Sequence, residues 1–175
     1  MSATSTSVPT GTYTVDPVHS SFGFVVVHNG ISKFRGSFEE VEAGLTDGVL
    51  TGVAKVASVK TAIPQLHGHL QSPDFFDAEN HPEIRFRSTD IKLAGDGSAE
   101  VDGELTIRGV TKPVVATGTY GAGVNMQGAE VIGFDLTTTV DRRDFGLNWQ
   151  APLPNGGEAV AYPVTIEAHL ELAKA

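Results

Sequence analysis

Alternation of apolar and polar residues is the feature that most constrains this chain. Residues 99–108 place Val101, Gly103, Leu105 and Ile107 on one side, and mostly charged or hydroxyl-bearing residues on the other. A side-chain period of two is typical of a β-strand with one face buried and one face in water. Strands of this kind pair antiparallel, because parallel sheets bury both faces. The sequence therefore predicts an all-β fold.

The same pattern returns along most of the chain, with turns at Gly, Asp and Asn between the segments. It predicts eight main strands and a short strand ahead of them near residues 13–16. The alternation slips at 39–41, which suggests a bulge, and Lys112-Pro113 is taken as the start of a strand over 113–121. Eight antiparallel strands can close and lose their edges. We predict a single eight-stranded antiparallel barrel, although a two-sheet sandwich fits the periodicity nearly as well.

One irregular segment, near residues 62–82, interrupts the strands. It is bracketed by three prolines, which have no N–H for a sheet ladder: Pro64, Pro73 and Pro82. We predict a long irregular insertion here, with a short helical turn near 62–70. Irregular segments of this length in a compact domain are usually functional. We expect this one to cross or close one end of the barrel and to turn Phe75 and Phe76 into its lumen.

Length and charge limit the further possibilities. A chain of 175 residues fits one domain, predicted at 12–175 after a flexible tail at 1–11. The net charge of −9 argues against a nucleic-acid partner and against anionic membrane surfaces. The apolar runs are too short for stable membrane insertion. Residues 1–10 lack secretory features, so we expect a cytoplasmic location, or a periplasmic or secreted one if the chain is a processed form.

Catalytic motifs have little support in the sequence. The chain has no cysteine, no Gly-x-Ser-x-Gly elbow and no nucleotide-binding fingerprint. His67 and His69 have the spacing of ligands in some β-barrel metal sites, so a metal-dependent enzyme that uses them is the alternative function. A zinc site needs three or four converging ligands, and the simpler interpretation is that these histidines bond turns and backbone groups. We predict no catalytic residue, no metal and no cofactor.

Aromatic side chains give the clearest indication of a binding site. Six lie at apolar-face positions of predicted strands: Phe22, Phe24, Phe38, Phe86, Phe134 and Tyr162. Three more come from loops: Phe75, Phe76 and Trp149. Glycines among the apolar-face positions, such as Gly36 and Gly103, are expected to leave volume unfilled beside the rings. A lumen lined in this way suits a long apolar ligand.

Several motifs resemble those of the YceI-like family, also called the polyisoprenoid-binding family. They run in family order from about residue 12 to 172, and include Asp16-Pro-Val-His-Ser20, Gly36-Ser-Phe38, His69-Leu-Gln-Ser-Pro-Asp-Phe-Phe-Asp77, His81-Pro-Glu-Ile-Arg-Phe-Arg-Ser88, Leu105-Thr-Ile-Arg-Gly-Val-Thr-Lys-Pro113 and Arg142-Arg-Asp-Phe-Gly146. The run at 105–113, together with the Asp-Phe-Phe-Asp loop, is a specific combination.

The resemblance implies a lipocalin-like barrel that binds or transports an amphiphilic isoprenoid-type lipid, such as a polyprenyl phosphate or a quinone, without catalysis. Many relatives are periplasmic, and a homodimer is a further expectation by analogy. Polar residues at the mouth, including Lys112, are expected to orient the head group. The expected ligand-binding residues are His19, Phe22, Phe24, His28, Phe38, Phe75, Phe76, Phe86, Leu105, Phe134, Arg142, Trp149 and Tyr162.

Overall fold

The structure, a computed structural model, describes residues 4–175. Its strands are β1 (Ser5–Thr6), β2 (Thr12–Val15), β3 (Ser21–His28), β4 (Ser32–Phe38), β5 (Val41–Thr46), β6 (Val49–Lys55), β7 (Val59–Thr61), β8 (Glu83–Ala94), β9 (Ser98–Ile107), β10 (Val110–Val124), β11 (Glu130–Asp141) and β12 (Val160–Lys174). One α-helix, α1 (Leu66–Gln71), lies between β7 and β8. Short 3-10 turns occupy Pro17–His19, Val56–Ser58 and Arg142–Phe145.

Eight of the strands close into an antiparallel barrel. The hydrogen-bonded order is β11, β10, β9, β8, β6, β5, β2 and β12, and β12 pairs back with β11 from Val131↔Ala173 to Asp141↔Pro163. Closure leaves no free edge in this ring. The prediction of a single eight-stranded antiparallel barrel is therefore confirmed. Within residues 4–175, no helix combines the length and the hydropathy that crossing a membrane requires.

Three strands of the barrel continue beyond a break into a second tier. Residues 17–19 separate β2 from β3, and both strands pair with β12. In the same way β5 is preceded by β4, and β6 is followed by β7 across the 3-10 turn at 56–58. The predicted irregularity at 39–41 coincides with the gap between β4 and β5. We call the β3–β4 end of the molecule, which carries α1, the upper end, and the end with the β5–β6 turn the lower end.

The lower end of the barrel is sealed by a packed core. Its central side chains have 0–1% of their surface exposed: Leu45, Val101, Ile132, Phe134 and Leu172. They come from β5, β9, β11 and β12, so the inward faces of four strands meet there. A dense apolar cluster of this kind leaves no passage for a ligand. Any opening into the lumen therefore lies at the upper end.

Two details differ from the expectations at particular residues. β10 begins at Val110 and includes Pro113, because at that level β10 pairs only with β9, and pairing with β11 starts at Thr117. At Pro113 the side of β10 that would face β11 is unpaired, so the absence of an N–H there removes no ladder bond with β11. Of the predicted tail, residues 1–3 lie outside the described part of the chain, and Ser5–Thr6 pair with Leu93 and Ala94 of β8.

Candidate ligand-binding cavity

A cavity of about 410 Å³ occupies the upper tier of the barrel. Its walls come from β3, β4, α1 and the residues that follow α1, the upper ends of β8, β9 and β11, and β12. The lining is almost entirely carbon, with a few polar side chains: His28, Ser32, Lys33, His69 and Arg142. His28 and Ile63 line the cavity and are also exposed to solvent, so they mark its opening.

A second cavity of about 80 Å³ lies below the first. Its walls include Phe86 and Leu105, and several small side chains, among them Ala43, Ala116 and Ala168. Phe22, Ile84 and Ile166 line both cavities. The lumen is thus an apolar space on two levels, above the sealed lower end.

Two phenylalanine rings lie over glycines of neighbouring strands. A Cβ built on Gly36 would come within 2.6 Å of Cε1 of Phe24, and one built on Gly103 within 2.6 Å of Cε2 of Phe86. The predicted unfilled volume beside these glycines lies on the lumen side of the rings, in the cavities that Phe24 and Phe86 line, and not directly above the glycines. The rings themselves occupy the space above the glycines, which keeps them against the barrel wall.

The insertion after β7 covers the upper end, as the sequence predicts. Phe76 packs edge-on against Phe38 at 5.9 Å between ring centroids. Phe75, His69 and Trp149 form a mutual aromatic contact with centroid distances of 4.9–5.5 Å. His69 is also bonded to the carboxylate of Asp74, with 3.1 Å between Nε2 and Oδ2. We call Phe75, His69 and Trp149 the aromatic cluster, which joins the insertion to the loop between β11 and β12.

Arg108 fixes the insertion from below. Its guanidinium donates to the carbonyl of Phe75 at 2.8 Å and to the carbonyl of Pro73. Arg108 lies in the β9–β10 turn with φ +53°, the left-handed conformation that such a tight turn requires. Arg108 is therefore one of the side chains that tie the insertion to the barrel.

Arg142 is buried beside the cavity and holds the loop that contains Trp149. Its three nitrogens donate to the carbonyls of Ala161, Leu147 and Val160 at 3.0, 2.6 and 3.1 Å. Two of these carbonyls lie where the pairing of β12 with β3 is irregular, between Val160 and Val164. Burial lowers the pKa of Arg142, yet a guanidinium remains charged at any physiological pH. Arg142 is predicted to orient the head group, whereas in the structure each of its nitrogens donates to a carbonyl group of the protein.

The structure brings most of the expected ligand-binding residues together. Those that line the larger cavity are Phe22, Phe24, His28, Phe38, Phe75, Phe76, Arg142 and Trp149. Phe86 and Leu105 line the smaller one. Three lie at neither cavity. Phe134 belongs to the sealed lower end, and Tyr162 packs under Arg142 and Arg143 with 4.6 and 4.0 Å from ring centroid to guanidinium.

His19 is the third residue outside both cavities. It lies in the turn between β2 and β3, where Nδ1 is 2.7 Å from Asp16 and 3.2 Å from Glu171. Lys112, the further head-group candidate, is an exposed residue of β10 and is not among the residues that line either cavity.

Sequence reasoning missed much of the aliphatic lining. The larger cavity also contacts Val26, Ile84, Ile107, Val140 and Ile166. All five occupy inward positions of strands, so the period-two pattern contained the signal. Aromatic residues were favoured because they stand out in a sequence, while branched aliphatic side chains there resemble an ordinary core.

His67 and His69 do not face a common ligand position. His67 is bonded through Nε2 to the carbonyl of Ala57 at 2.9 Å, and His69 to Asp74. Among residues 4–175, the group of three possible metal ligands within mutual reach consists of Asp16, His19 and Glu171, at the partly exposed turn described above. The pair that motivated the metal-dependent alternative is therefore bonded to other protein groups.

A closed antiparallel barrel with an apolar lumen that opens at one end defines a lipocalin-like class of protein. Residues 13–172 match the YceI-like domain, which covers most of the chain. The chain belongs to the YceI-like family.

Relatives and solved structures agree with this assignment. A UPF0312 protein of Pseudomonas putida is 36% identical over 134 residues, which cover 76% of this chain and 70% of the relative. The structure of Burkholderia cenocepacia BcnA matches at a TM-score of 0.72 with 25% identity, covering 90% of this chain and 98% of that one. A polyisoprenoid binding domain from Saccharophagus degradans matches at a TM-score of 0.71 with 15% identity, covering 93% and 98%, and shows the shared fold.

Proposed function

We propose that this protein binds the hydrocarbon chain of an amphiphilic isoprenoid-type lipid in the larger cavity and carries it without chemical change. The observation that carries the proposal is the cavity of about 410 Å³, whose walls are nearly all carbon and whose opening lies at one end. Such a wall offers water few hydrogen-bond partners, whereas the burial of an apolar chain against it is favourable in free energy. The fold shared with a polyisoprenoid binding domain supports the isoprenoid chemistry.

The energetics allow useful affinity. Each buried methylene contributes about 0.8 kcal/mol, so two or three enclosed isoprene units contribute roughly 8–12 kcal/mol. Association costs about 4–15 kcal/mol in lost freedom and ordering. Micromolar binding corresponds to about 8 kcal/mol, which is within reach if the cavity is largely preformed. The rings held against the wall by Gly36 and Gly103 supply this preformed space.

The head group is placed at the opening. Lys33 and His28 line the cavity and are exposed, so they can bond a polar group that stays in water. Each nitrogen of Arg142 donates to a carbonyl group of the protein, so Lys33 is the exposed positive charge among the residues that line the cavity. The affinity then comes from the chain, and the opening provides orientation.

Denaturing extraction of the natively purified protein, followed by mass spectrometry, tests the proposal. We expect an isoprenoid lipid in the wild-type extract and its loss from Phe24→Asp, because a carboxylate in the cavity wall opposes an apolar chain. Val25→Asp is the matched control, since Val25 is the adjacent residue of β3 and is not among those that line the cavity. Wild-type protein that yields no lipid, or only acyl lipids, would contradict the proposal. Circular dichroism of both variants verifies the fold.

A further inference from the structure

One layer of side chains divides the lumen into two levels. Down β3, the inward side chains run from His28 at the opening through Val26 and Phe24 to Phe22. Phe22, Ile84 and Ile166 each line both cavities, and a side chain that lines two cavities lies between them. We call these three side chains the partition.

The neighbouring residues on each strand confirm the order of the levels. On β12, Val164 lines the larger cavity and Ala168 the smaller one, with Ile166 between them. On β9, Ile107 lines the larger cavity and Leu105 the smaller one. Inward residues of a strand are two apart in sequence and roughly 7 Å apart in space. The partition is therefore one residue layer thick.

A lipid chain that enters at the upper end finds the lumen closed at its lower end. Below the smaller cavity stands the sealed core of Leu45, Val101, Phe134 and Leu172. Phe22 is packed against Phe38, with 5.7 Å between ring centroids, so the partition is supported from the side. Phe22 thus forms the lower boundary of the larger cavity, and the smaller cavity of about 80 Å³ lies beneath it.

The volume above the partition corresponds to a short isoprenoid chain. A dry apolar cavity of about 150 Å³ accommodates one benzene, so on this scale the larger cavity, about 410 Å³, encloses roughly sixteen carbon atoms. This corresponds to about three isoprene units.

We infer that the partition selects the length of the bound chain, and that Phe22 is the residue that stops a chain of about three isoprene units. The inference rests on the proposed function and specifies its substrate. Longer chains bind with their remaining carbons outside the cavity and gain little from them. Removal of the Phe22 ring joins the two levels and makes room for a further unit.

Intrinsic fluorescence reports the binding, because Trp149 is the single tryptophan of the chain and lines the larger cavity. The probes are geraniol, farnesol and geranylgeraniol, which carry two, three and four isoprene units. Each additional buried methylene strengthens binding roughly fourfold. For the wild type we expect affinity to rise at least tenfold from geraniol to farnesol, and to change less than about threefold from farnesol to geranylgeraniol.

Three variants separate the partition from general effects. In Phe22→Ala, affinity is expected to rise at least tenfold from farnesol to geranylgeraniol. In Phe22→Trp, affinity is expected to stop rising at geraniol, so that farnesol binds no more tightly than geraniol. Ile166→Ala opens the same layer from β12 and is used if Phe22→Ala melts below the assay temperature. Val115→Ala, on the exposed outer wall of β10, is the control and should match the wild type.

The outcomes distinguish the two claims. If wild-type affinity keeps rising steeply to geranylgeraniol, or if Phe22→Ala and Ile166→Ala both keep the wild-type plateau, the partition does not select chain length, while the proposed function stands. If none of the three alcohols changes the fluorescence of the wild type or competes with another isoprenoid, the proposed function fails, and the inference fails with it.

Discussion

The ring of Phe24 occupies the space that a side chain at Gly36 would need. The two residues are directly paired across β3 and β4, and a Cβ at Gly36 would lie 2.6 Å from Cε1 and 3.0 Å from Cε2 of the ring. Glycine at this position therefore determines where the ring lies. With the ring against the wall, the volume beside it remains available to a ligand.

Gly36→Ala should consequently reduce both the affinity for the ligand and the free energy of unfolding. The methyl group forces the ring of Phe24 to move, and overpacking costs about 1–3 kcal/mol of the free energy of unfolding. Movement toward the lumen fills part of the cavity, so we expect at least a tenfold loss of farnesol affinity by Trp149 fluorescence. Gly121→Ala is the control, because its Cβ would meet no atom within 4 Å. Unchanged affinity in Gly36→Ala would show that the ring position is not important for binding.

Arg142→Met should destabilise the fold by about 3 kcal/mol, because three carbonyls lose their donor in a buried place. Urea denaturation measures the effect. Arg143→Met is the matched control. Its guanidinium is exposed and is paired with Asp141, so it should cost about 1 kcal/mol or less. Equal effects of the two substitutions would refute the anchoring role of Arg142.

The turn between β2 and β3 should be most stable in mild acid. Hydrogen bonding to Asp16 raises the pKa of His19, and hydrogen bonding to His19 lowers the pKa of Asp16. The contribution of His19 is fully present below its unfolded pKa near 6.5 and is lost as pH rises through the raised value. That of Asp16 is present above its unfolded pKa near 3.8 and is lost as pH falls.

His19→Gln should therefore lower the melting temperature at about pH 5.5 and have no effect at about pH 9. Asp16→Asn should remove most of this pH-dependent difference, and the part that remains belongs to Glu171, whose carboxylate lies 3.2 Å from Nδ1 of His19. Scanning calorimetry at both values of pH measures this. A difference between wild type and His19→Gln that is as large at the alkaline value would rule out the ion pair as its source.

The pattern of strands was readable from the sequence because alternation reports which face is buried. The inward positions of Phe22, Phe24 and Phe38 follow from it directly. The depth of a residue along the barrel axis does not follow from the alternation. Phe134 has the same alternation as Phe24, but it lies in the sealed lower end, because depth depends on how the strands are staggered on closure.

Two further features required coordinates for a related reason. The role of Arg142 depends on carbonyls beside an irregularity in β12, and the sequence of that strand gives no sign of which carbonyls are left without strand partners. The glycines at 36 and 103 were visible, but whether a neighbouring ring covers them depends on the register between strands. Both features are pairings between distant segments.

Release of the insertion should speed ligand entry. Arg108 holds the carbonyls of Pro73 and Phe75, so Arg108→Met loosens the aromatic cluster over the cavity. We expect the association rate of farnesol to rise several-fold in stopped-flow fluorescence, since lid motion often limits such steps. Arg87→Met, on an exposed position of β8, is the control. An unchanged rate would indicate that ligand enters by another route.

Lys33 should distinguish charged from neutral head groups. It lines the opening, so its ammonium can approach a phosphate whose chain lies in the cavity. Lys33→Glu is expected to weaken farnesyl phosphate about tenfold and to leave farnesol within about twofold, because an exposed charge contributes on the order of 1 kcal/mol and its reversal adds repulsion. Salt should reduce the difference. Lys60→Glu is the matched control, since Lys60 is also exposed but does not line the cavity. Equal weakening of farnesyl phosphate by both variants would attribute the effect to net charge, and equal weakening of alcohol and phosphate by Lys33→Glu would attribute it to a change in the shape of the opening.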